Sequence, residues 1–568
     1  MSDNARLKVV LCWHMHQPQY RDLLSGQYHL PWTYLHAIKD YTDMAAHIEA
    51  VPAARAVVNF APLLLEQIED YAHQVDGFLN DSLSIRDPLL VAMVSPALPS
   101  SMEARVALIK ACLRVNEARM IDRFPAYRQL ADMASWLLAS PEAIHYMSNQ
   151  FIVDLLTWYH LAWIGETVRR TDVRVQNLVD KGKGYTLHER RELLTVIGEL
   201  LTTVIPRYRR LAERGQVELS VTPYAHPILP LLLNFECAHD AMPGAPLPLL
   251  PQYPGGEERA RWHINEGIET FRRYFGFTPV GCWPSEGAVS TASLKLLAEA
   301  GFRWAASGEG VLHNSLARSG IANNGAKDDW LYTAYSVADS GMNCFFRDDG
   351  LSDLIGFTYA AWHGDDAVNN LVHNLEEIAR HGGNRPGQVV SIIMDGENAW
   401  EHYPENAYYF LSALYRRLSS HSAFELTTFS ECLKSASSRP LPVMAAGSWV
   451  YGTLSTWIGE PDKNRGWDML GDAKRAFDAA AGRLEGEKLE NARRQLAVCE
   501  GSDWFWWFGG DNPTATVADF EQLFRHHLTN LYQMIGSEPP EYLAQVFTRG
   551  GGAPMHGGAM RPGQASAG

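Results

Sequence analysis

The sequence has no run of 18 apolar residues, so nothing in it reads as a membrane-crossing helix. Basic residues are short: 49 Lys and Arg stand against 65 Asp and Glu, a formal charge of −16 over 568 residues. Nucleic acid and anionic membranes both need a basic face, so neither is an expected partner. Cysteine is sparse and scattered, at positions 12, 112, 237, 282, 344, 432 and 499, with no C-x-x-C. That excludes a disulfide framework or a cysteine-held zinc and fits a reducing cytoplasm. The opening MSDNARLKVVLCWHMHQPQY lacks the apolar core of a secretion signal, so a cytoplasmic location is expected. No internal repeat is visible. What is present is globular: 46% hydrophobic and 20% charged residues. Tryptophan is the outlier, with 17. A chain this long exceeds the roughly 250–300 residues that one core serves, so a large domain plus a smaller one is expected.

Apolar runs such as LKVVLCW (7–13), RAVVNFAPLL (55–64), GFTPVGCWP (276–284) and QVVSIIMDG (388–396) read as buried parallel strands. They alternate with helical stretches, and 102–213 reads as one helical insertion. Strand and helix in alternation give an α/β class with a parallel sheet, and this length favours a barrel. The expected organisation is a catalytic barrel over 1–404, a helical domain over 405–548 and a disordered Gly-rich tail over 549–568. In VADFEQLFRHHLTNLYQMIG (517–536) the apolar residues share one helical face, with Thr516 as N-cap. His526 and His527 on that helix read as surface or packing residues. Asp348 and Asp349 read as solvated loop or cap acids.

Polar residues at the ends of parallel strands surround a barrel mouth, the usual place for a site. His14 and His16 lie two apart, so an extended chain turns both to one side. Spacing alone leaves three readings open: hydrogen-bonded strand-end residues, metal ligands, or the lining of a polar pocket. Glu286 follows an apolar strand and is set among Trp283, Pro284 and Gly287. Asp395 ends another strand, with Glu397 two residues on and Trp400 beside it. Glu218 falls inside a strand, where an unpaired carboxylate is costly, so it needs a partner such as a histidine or a ligand hydroxyl; His226 follows close behind. Two carboxyl groups among tryptophans suit a glycosidase, because sugar rings stack their C–H faces on indole. A separation of about 5–5.5 Å would permit double displacement with retention.

These residues resemble glycoside hydrolase family 57 over about 7–540. HMHQP (14–18), GQVELSVTPYAHPILPLL (215–232), GCWPSEGAVS (281–290), IIMDGENAWEHY (392–403) and GSWVYGTLSTWIGEPDKNRGWDML (447–470) look like its five regions in order. FFRDDGLSDLIGFTYAAW (345–362) and GSDWFWWFGGD (501–511) resemble the α-amylase and amylopullulanase branch. The resemblance implies a distorted (β/α)7 barrel followed by a helical domain, and a retaining reaction on α-glucans or maltooligosaccharides with no metal or other cofactor in the chemical step. It implies Glu286 as nucleophile and Asp395 as general acid/base. His14, His16, Glu218, His226, Trp283, Glu397, Trp400, Trp449, Trp457, Asp503 and Trp504 are the expected substrate-binding residues. Asp395 must then hold a proton near neutral pH, raised by burial or by the other carboxylate. A 4-α-glucanotransferase or branching enzyme shares this chemistry. A metal-dependent carbohydrate deacetylase and a catalytically silent glycan binder are the readings from other classes. Ten tryptophans (13, 283, 362, 400, 449, 457, 467, 504, 506 and 507) fall in or beside the family-like segments, and a sugar-stacking lining requires most of them to face the cleft.

Overall fold

A computed structural model describes residues 6–563 apart from 323–324, 383–386, 436 and 553–559. Among these residues ten strands share one sheet: β1 (Leu7–Met15), β2 (Ala56–Phe60), β3 (Val217–Val221), β4 (Gly281–Cys282), β5 (Trp304–Ser307), β6 (Tyr335–Val337), β7 (Met342–Phe346), β8 (Val389–Asp395), β9 (Phe424–Leu426) and β10 (Arg439–Leu441). Their order is β10-β6-β7-β5-β4-β3-β2-β1-β8, and β9 pairs with β1. All pairings are parallel except β6 with β7. The sheet curls until the chain after β7 meets β8 through a single bridge, Arg347 to Ser391. The result is a half-closed, parallel-dominated α/β sheet wrapped in helices. The apolar runs at 7–13 and 388–396 lie buried as the adjacent strands β1 and β8.

Register brings the polar strand ends together. His14 on β1 stands opposite Asn59 on β2 and Asp395 on β8. Val221 on β3 stands opposite Cys282 on β4, so the residues after both strands emerge on the same rim.

The expected insertion is helical, from Met102–Ala111 to the long helix Leu187–Glu213. Thr186 and Glu189 close the start of that last helix with a reciprocal capping box. Three boundaries differ from expectation. The sheet continues past residue 404, because β9 and β10 join β1 and β6; three-residue strands carry too little pattern to read. Beyond them lie the helices Pro461–Ala481, Gly486–Cys499 and Thr514–Met534. The last begins after Pro513, which places Thr516 inside it rather than at its cap. Nor are residues 560–563 a free tail. The Gly563 amide donates to the Asp353 carboxylate at 3.0 Å, and its carbonyl accepts from the Tyr451 amide at 2.9 Å. A Cβ at position 563 would meet Asp349 Cγ at 2.3 Å, so any side chain there would have to displace the Asp349–Arg347 pair. The remainder of the expected tail, 553–559 and 564–568, lies outside the described residues.

Candidate active site

The rim of the sheet bounds a cleft of about 770 Å³. Glu286 enters it one turn after β4. Its backbone is left-handed (φ 57°), a conformation that costs a non-glycine residue on the order of 1–3 kcal/mol. Two contacts hold it there: the Gly287 amide donates to the Pro284 carbonyl (2.8 Å), and the Trp449 amide donates to the Glu286 carbonyl (3.1 Å). The Trp449 indole N–H then donates to Glu286 Oε2 at 3.1 Å, and Ser502 Oγ lies 3.5 Å from Oε1. Among the described residues no Lys or Arg forms an ion pair with this carboxylate; His226 Nδ1 lies 4.0 Å from Oε1. Burial, then the charges of Asp395 and Asp503, push the Glu286 carboxyl up to about 8.

Asp395 closes β8, and Asn398 Nδ2 donates to it at 2.9 Å. Burial raises its carboxyl too, against the pull of Asn398, His16 and Arg347. Glu397 is a third carboxyl on the cleft, 1% exposed. Its Oε1 accepts from the His16 amide (3.3 Å) and Gln17 Nε2 (3.5 Å), while Oε2 has no hydrogen-bond partner. Burial, then Asp395 and Asp40, raise it well above the usual carboxyl range. Three carboxyls raised by burial thus share one cleft, and among the described residues no Lys or Arg is ion-paired to Glu286.

The histidines form a chain. His14 Nδ1 meets Asn59 Oδ1 at 2.7 Å, His14 Nε2 meets His226 Nε2 at 3.1 Å, and His226 Nδ1 meets Ser502 Oγ at 2.8 Å. One consistent proton assignment has His14 donating to Asn59, His226 donating to His14, and Ser502 donating to His226, with both rings neutral. Burial and neighbouring imidazoles favour neutrality: His14 is pushed down to about 3, and His226 well below its ordinary value. His16 stacks on His226 with ring centres 3.8 Å apart and bonds Asp503 Oδ1 at 2.8 Å. Of the three readings of the His14–His16 pair, hydrogen bonding within a polar pocket matches this geometry. His16, His226 and Asp503 also bring ligand atoms within 4.8 Å of one another, a spacing from which a cation could be held.

Trp32, Trp163, Phe357, Trp449, Trp506, Trp507 and Phe520 supply apolar wall. The Trp449 ring stands edge-on to Trp283 (5.2 Å), with the Arg347 guanidinium 5.5 Å from its centre. Arg347 is itself engaged by Asp349 and Asp353, each at 2.6 Å. Asp348 does cap the helix Asp349–Asp353, but it and Asp349 are buried, not solvated. Met560 and Arg561 complete the lining; Arg561 lies over the Trp506 ring at 4.9 Å and bonds Asn512.

The structure therefore brings together Glu286, Asp395, His14, His16, His226, Glu397, Trp449 and Asp503. Other expected residues lie elsewhere. Glu218 accepts hydrogen bonds from Trp304 Nε1 (2.7 Å) and the Ser430 amide (3.0 Å), because it sits low on β3 while the cleft lies beyond that strand's far end. Trp400 gives its N–H to the Gly396 carbonyl, and Trp504 gives its own to that of Val498. Trp457 and Trp283 are wholly buried, Trp283 behind Trp449. Of the ten tryptophans in family-like segments, only 449, 506 and 507 line the cleft. Six others are buried elsewhere, and Trp362 is exposed outside it. The broad stacking expectation fails. Trp32 and Trp163, both outside those segments, are lining residues that the sequence reading missed. It also missed Asn59, Arg347 and Ser502. Asn59 carried a signal, a polar residue near the end of an apolar strand; Ser502 carried none.

Among the described residues no helix is long and apolar enough to cross a membrane. No curated protein matches the chain. Solved structures share its fold. A branching enzyme from Thermococcus kodakaraensis superposes with a TM-score of 0.58 at 16% identity, covering 93% of this chain and 90% of that one. An α-amylase from Thermotoga maritima gives 0.55 at 13% identity, covering 94% of each. A 4-α-glucanotransferase from Thermococcus litoralis gives 0.52 at 14% identity, covering 93% of this chain and 60% of that one. The sequence profile of glycosyl hydrolase family 57 runs along residues 10–445, through both carboxyl motifs, and the chain therefore belongs to that family of enzymes acting on O-glycosyl bonds.

Proposed function

We propose that this chain cleaves α-1,4-glucosidic bonds of an α-glucan or maltooligosaccharide by double displacement. The observation that carries the reading is one cleft holding Glu286 and Asp395, with indole walls and, among the described residues, no Lys or Arg paired to Glu286. The Glu286 carboxylate attacks the anomeric carbon while the bond to the leaving sugar oxygen breaks, and Asp395 gives that oxygen its proton. A glycosyl ester of Glu286 results. Asp395, now a base, takes a proton from the incoming hydroxyl, whose oxygen displaces Glu286 and restores both groups. Substrate binding must leave Glu286 ionised and Asp395 protonated. The developing positive charge at the sugar then stabilises an anion that the free cleft disfavours.

The second reading differs in the incoming hydroxyl: a sugar in place of water, giving a glucanotransferase or branching enzyme. Two sets of rings favour it, Trp32 with Trp163 and Trp506 with Trp507, because a transferase must hold an acceptor as well as a donor.

Product profiles on maltoheptaose and glycogen separate the two. New reducing ends mean hydrolysis; longer oligomers or branches without them mean transfer. Glu286→Gln is expected to abolish both, and unchanged turnover in that variant would sink either reading.

A further inference from the structure

Tyr20 and Phe520 both line the cleft and meet edge-on, with ring centres 6.4 Å apart. The two segments that carry them make a second contact. Asp22 and His29 lie on a short hairpin closed by the bridge between Arg21 and Tyr28. His526 lies on the helix Thr514–Met534 that bears Phe520. One ligand atom from each of Asp22, His29 and His526 falls within 4.8 Å of the other two.

Asp22 is fixed by hydrogen bonds to both carboxylate oxygens. Its Oδ1 accepts from the Leu24 amide (2.7 Å) and Asn530 Nδ2 (2.9 Å), and its Oδ2 from Ser25 Oγ (2.9 Å) and His526 Nε2 (3.1 Å). Carboxylates that bind metals are commonly oriented by such outer hydrogen bonds. His29 stands edge-on to His526 with ring centres 5.0 Å apart, and its side chain is exposed. Neighbouring His527, by contrast, is buried and bonded to Gln495 and the Gln19 carbonyl, as a packing residue should be.

We propose that Asp22, His29 and His526 form a zinc-type divalent cation site that staples the hairpin to the helix behind the Tyr20–Phe520 wall. Two imidazoles and one carboxylate are a nitrogen–oxygen set that zinc accepts, with water in the fourth position. Zinc bonds of about 2.0–2.2 Å bring ligand atoms to roughly 3.3 Å apart. The exposed His29 ring can swing inward to meet that spacing. His526 turns the lone pair of Nε2 to the metal with its proton on Nδ1, and Asp22 Oδ2 exchanges the imidazole N–H for the cation.

The test is zinc chloride titrated into the chelator-treated full chain, followed by calorimetry and thermal unfolding, with cobalt absorption as the spectroscopic check. Expected are one equivalent of zinc bound, a raised Tm, and the absorption of tetrahedral cobalt on nitrogen and oxygen. His29→Ala, at an exposed position, should weaken binding by more than about tenfold and remove the Tm shift. His526→Ala should do the same where it folds. Asp503→Asn, which breaks the cleft's own cation-capable trio, should leave binding intact. No zinc binding by the wild type, unchanged binding in His29→Ala, or loss only in Asp503→Asn would each overturn the proposal.

Discussion

Glu286 and Glu500 are two carboxyls withdrawn from bulk water, with side chains 13% and 0% exposed, and they behave oppositely. Burial raises both. At Glu500 the Arg259 guanidinium at 2.8 Å outweighs it, helped by His263 at 2.7 Å, and the carboxyl falls to about 2. Tyr253 adds a hydrogen bond at 2.6 Å. At Glu286 the polar neighbours are neutral, an indole N–H that donates and a hydroxyl oxygen 3.5 Å away, and the carboxyl rises to about 8. Positive charge decides the difference, not depth. Glu500 ties the helix Gly256–Phe275 to the segment directly before Ser502 and Asp503, so the satisfied carboxylate holds the wall of the unsatisfied one. One acid is used for structure and the other is kept available for chemistry.

The largest expected effect is on turnover. Glu286→Gln should lower kcat by more than about 10⁴-fold. Asp395→Asn should cost between about 10² and 10⁴. Turnover within tenfold of wild type in Glu286→Gln would remove the functional half of the contrast. Next is stability. Glu500→Gln leaves Arg259 buried without its counter-charge and should cost about 3–5 kcal/mol in urea unfolding. The Glu500 carboxyl is lower in the folded chain than its ordinary value, so its stabilisation is present above about 4.5 and lost as pH falls towards about 2. Glu286→Gln should do the reverse. Below about 4.5 this carboxyl is protonated folded or unfolded and costs nothing. As pH rises towards about 8 the unfolded chain releases the proton first, and the fold is weakened. The Gln variant should therefore be the more stable by about 4 kcal/mol at pH 8, with the gap closing by pH 4. A Glu286→Gln chain less stable than wild type at pH 8 would contradict the raised carboxyl.

The same contrast explains what could be read from the sequence. Strand-end acids were legible because an apolar run reports a buried strand and its last residue reports the rim; His14, Glu286 and Asp395 were found that way. Glu218 was misplaced because a strand shows its pattern without showing its depth. It precedes Thr222 by four residues, roughly 13 Å at about 3.3 Å per residue. Partners from distant segments were less legible. Arg259 and His263 lie more than two hundred residues from Glu500, and Ser502 lies equally far from Glu286. Tryptophan misled for a related reason. In GSDWFWW, Trp504 turns into the core and Trp506 and Trp507 into the cleft, a division set by the packing of a six-residue helix, not by composition.

The smallest effect probes whether cations are truly kept from the catalytic pair. Arg347 is the permanently charged group that bears on that rule, since its charge, after that of His16, already opposes the rise of the Asp395 carboxyl. Two acids restrain it: Asp349 holds Nη1 and Asp353 holds Nη2, while Nε donates to the Ile393 carbonyl at 2.8 Å. Asp353→Asn removes one of those negative charges and leaves more of the Arg347 field acting on the cleft. The pair must keep one proton to work, so kcat/KM should fall as pH rises through about 8 in the wild type. In the variant that limb should move to lower pH by about 0.5 unit. Asp353 also accepts the Gly563 amide, so the variant loosens the 560–563 strap. A strap effect changes KM for maltoheptaose without moving the limb, which lets one set of pH profiles separate the two. A limb that stays in place, or moves up, would mean that Arg347 is fully neutralised by Asp349 alone and that the cleft is insulated from it.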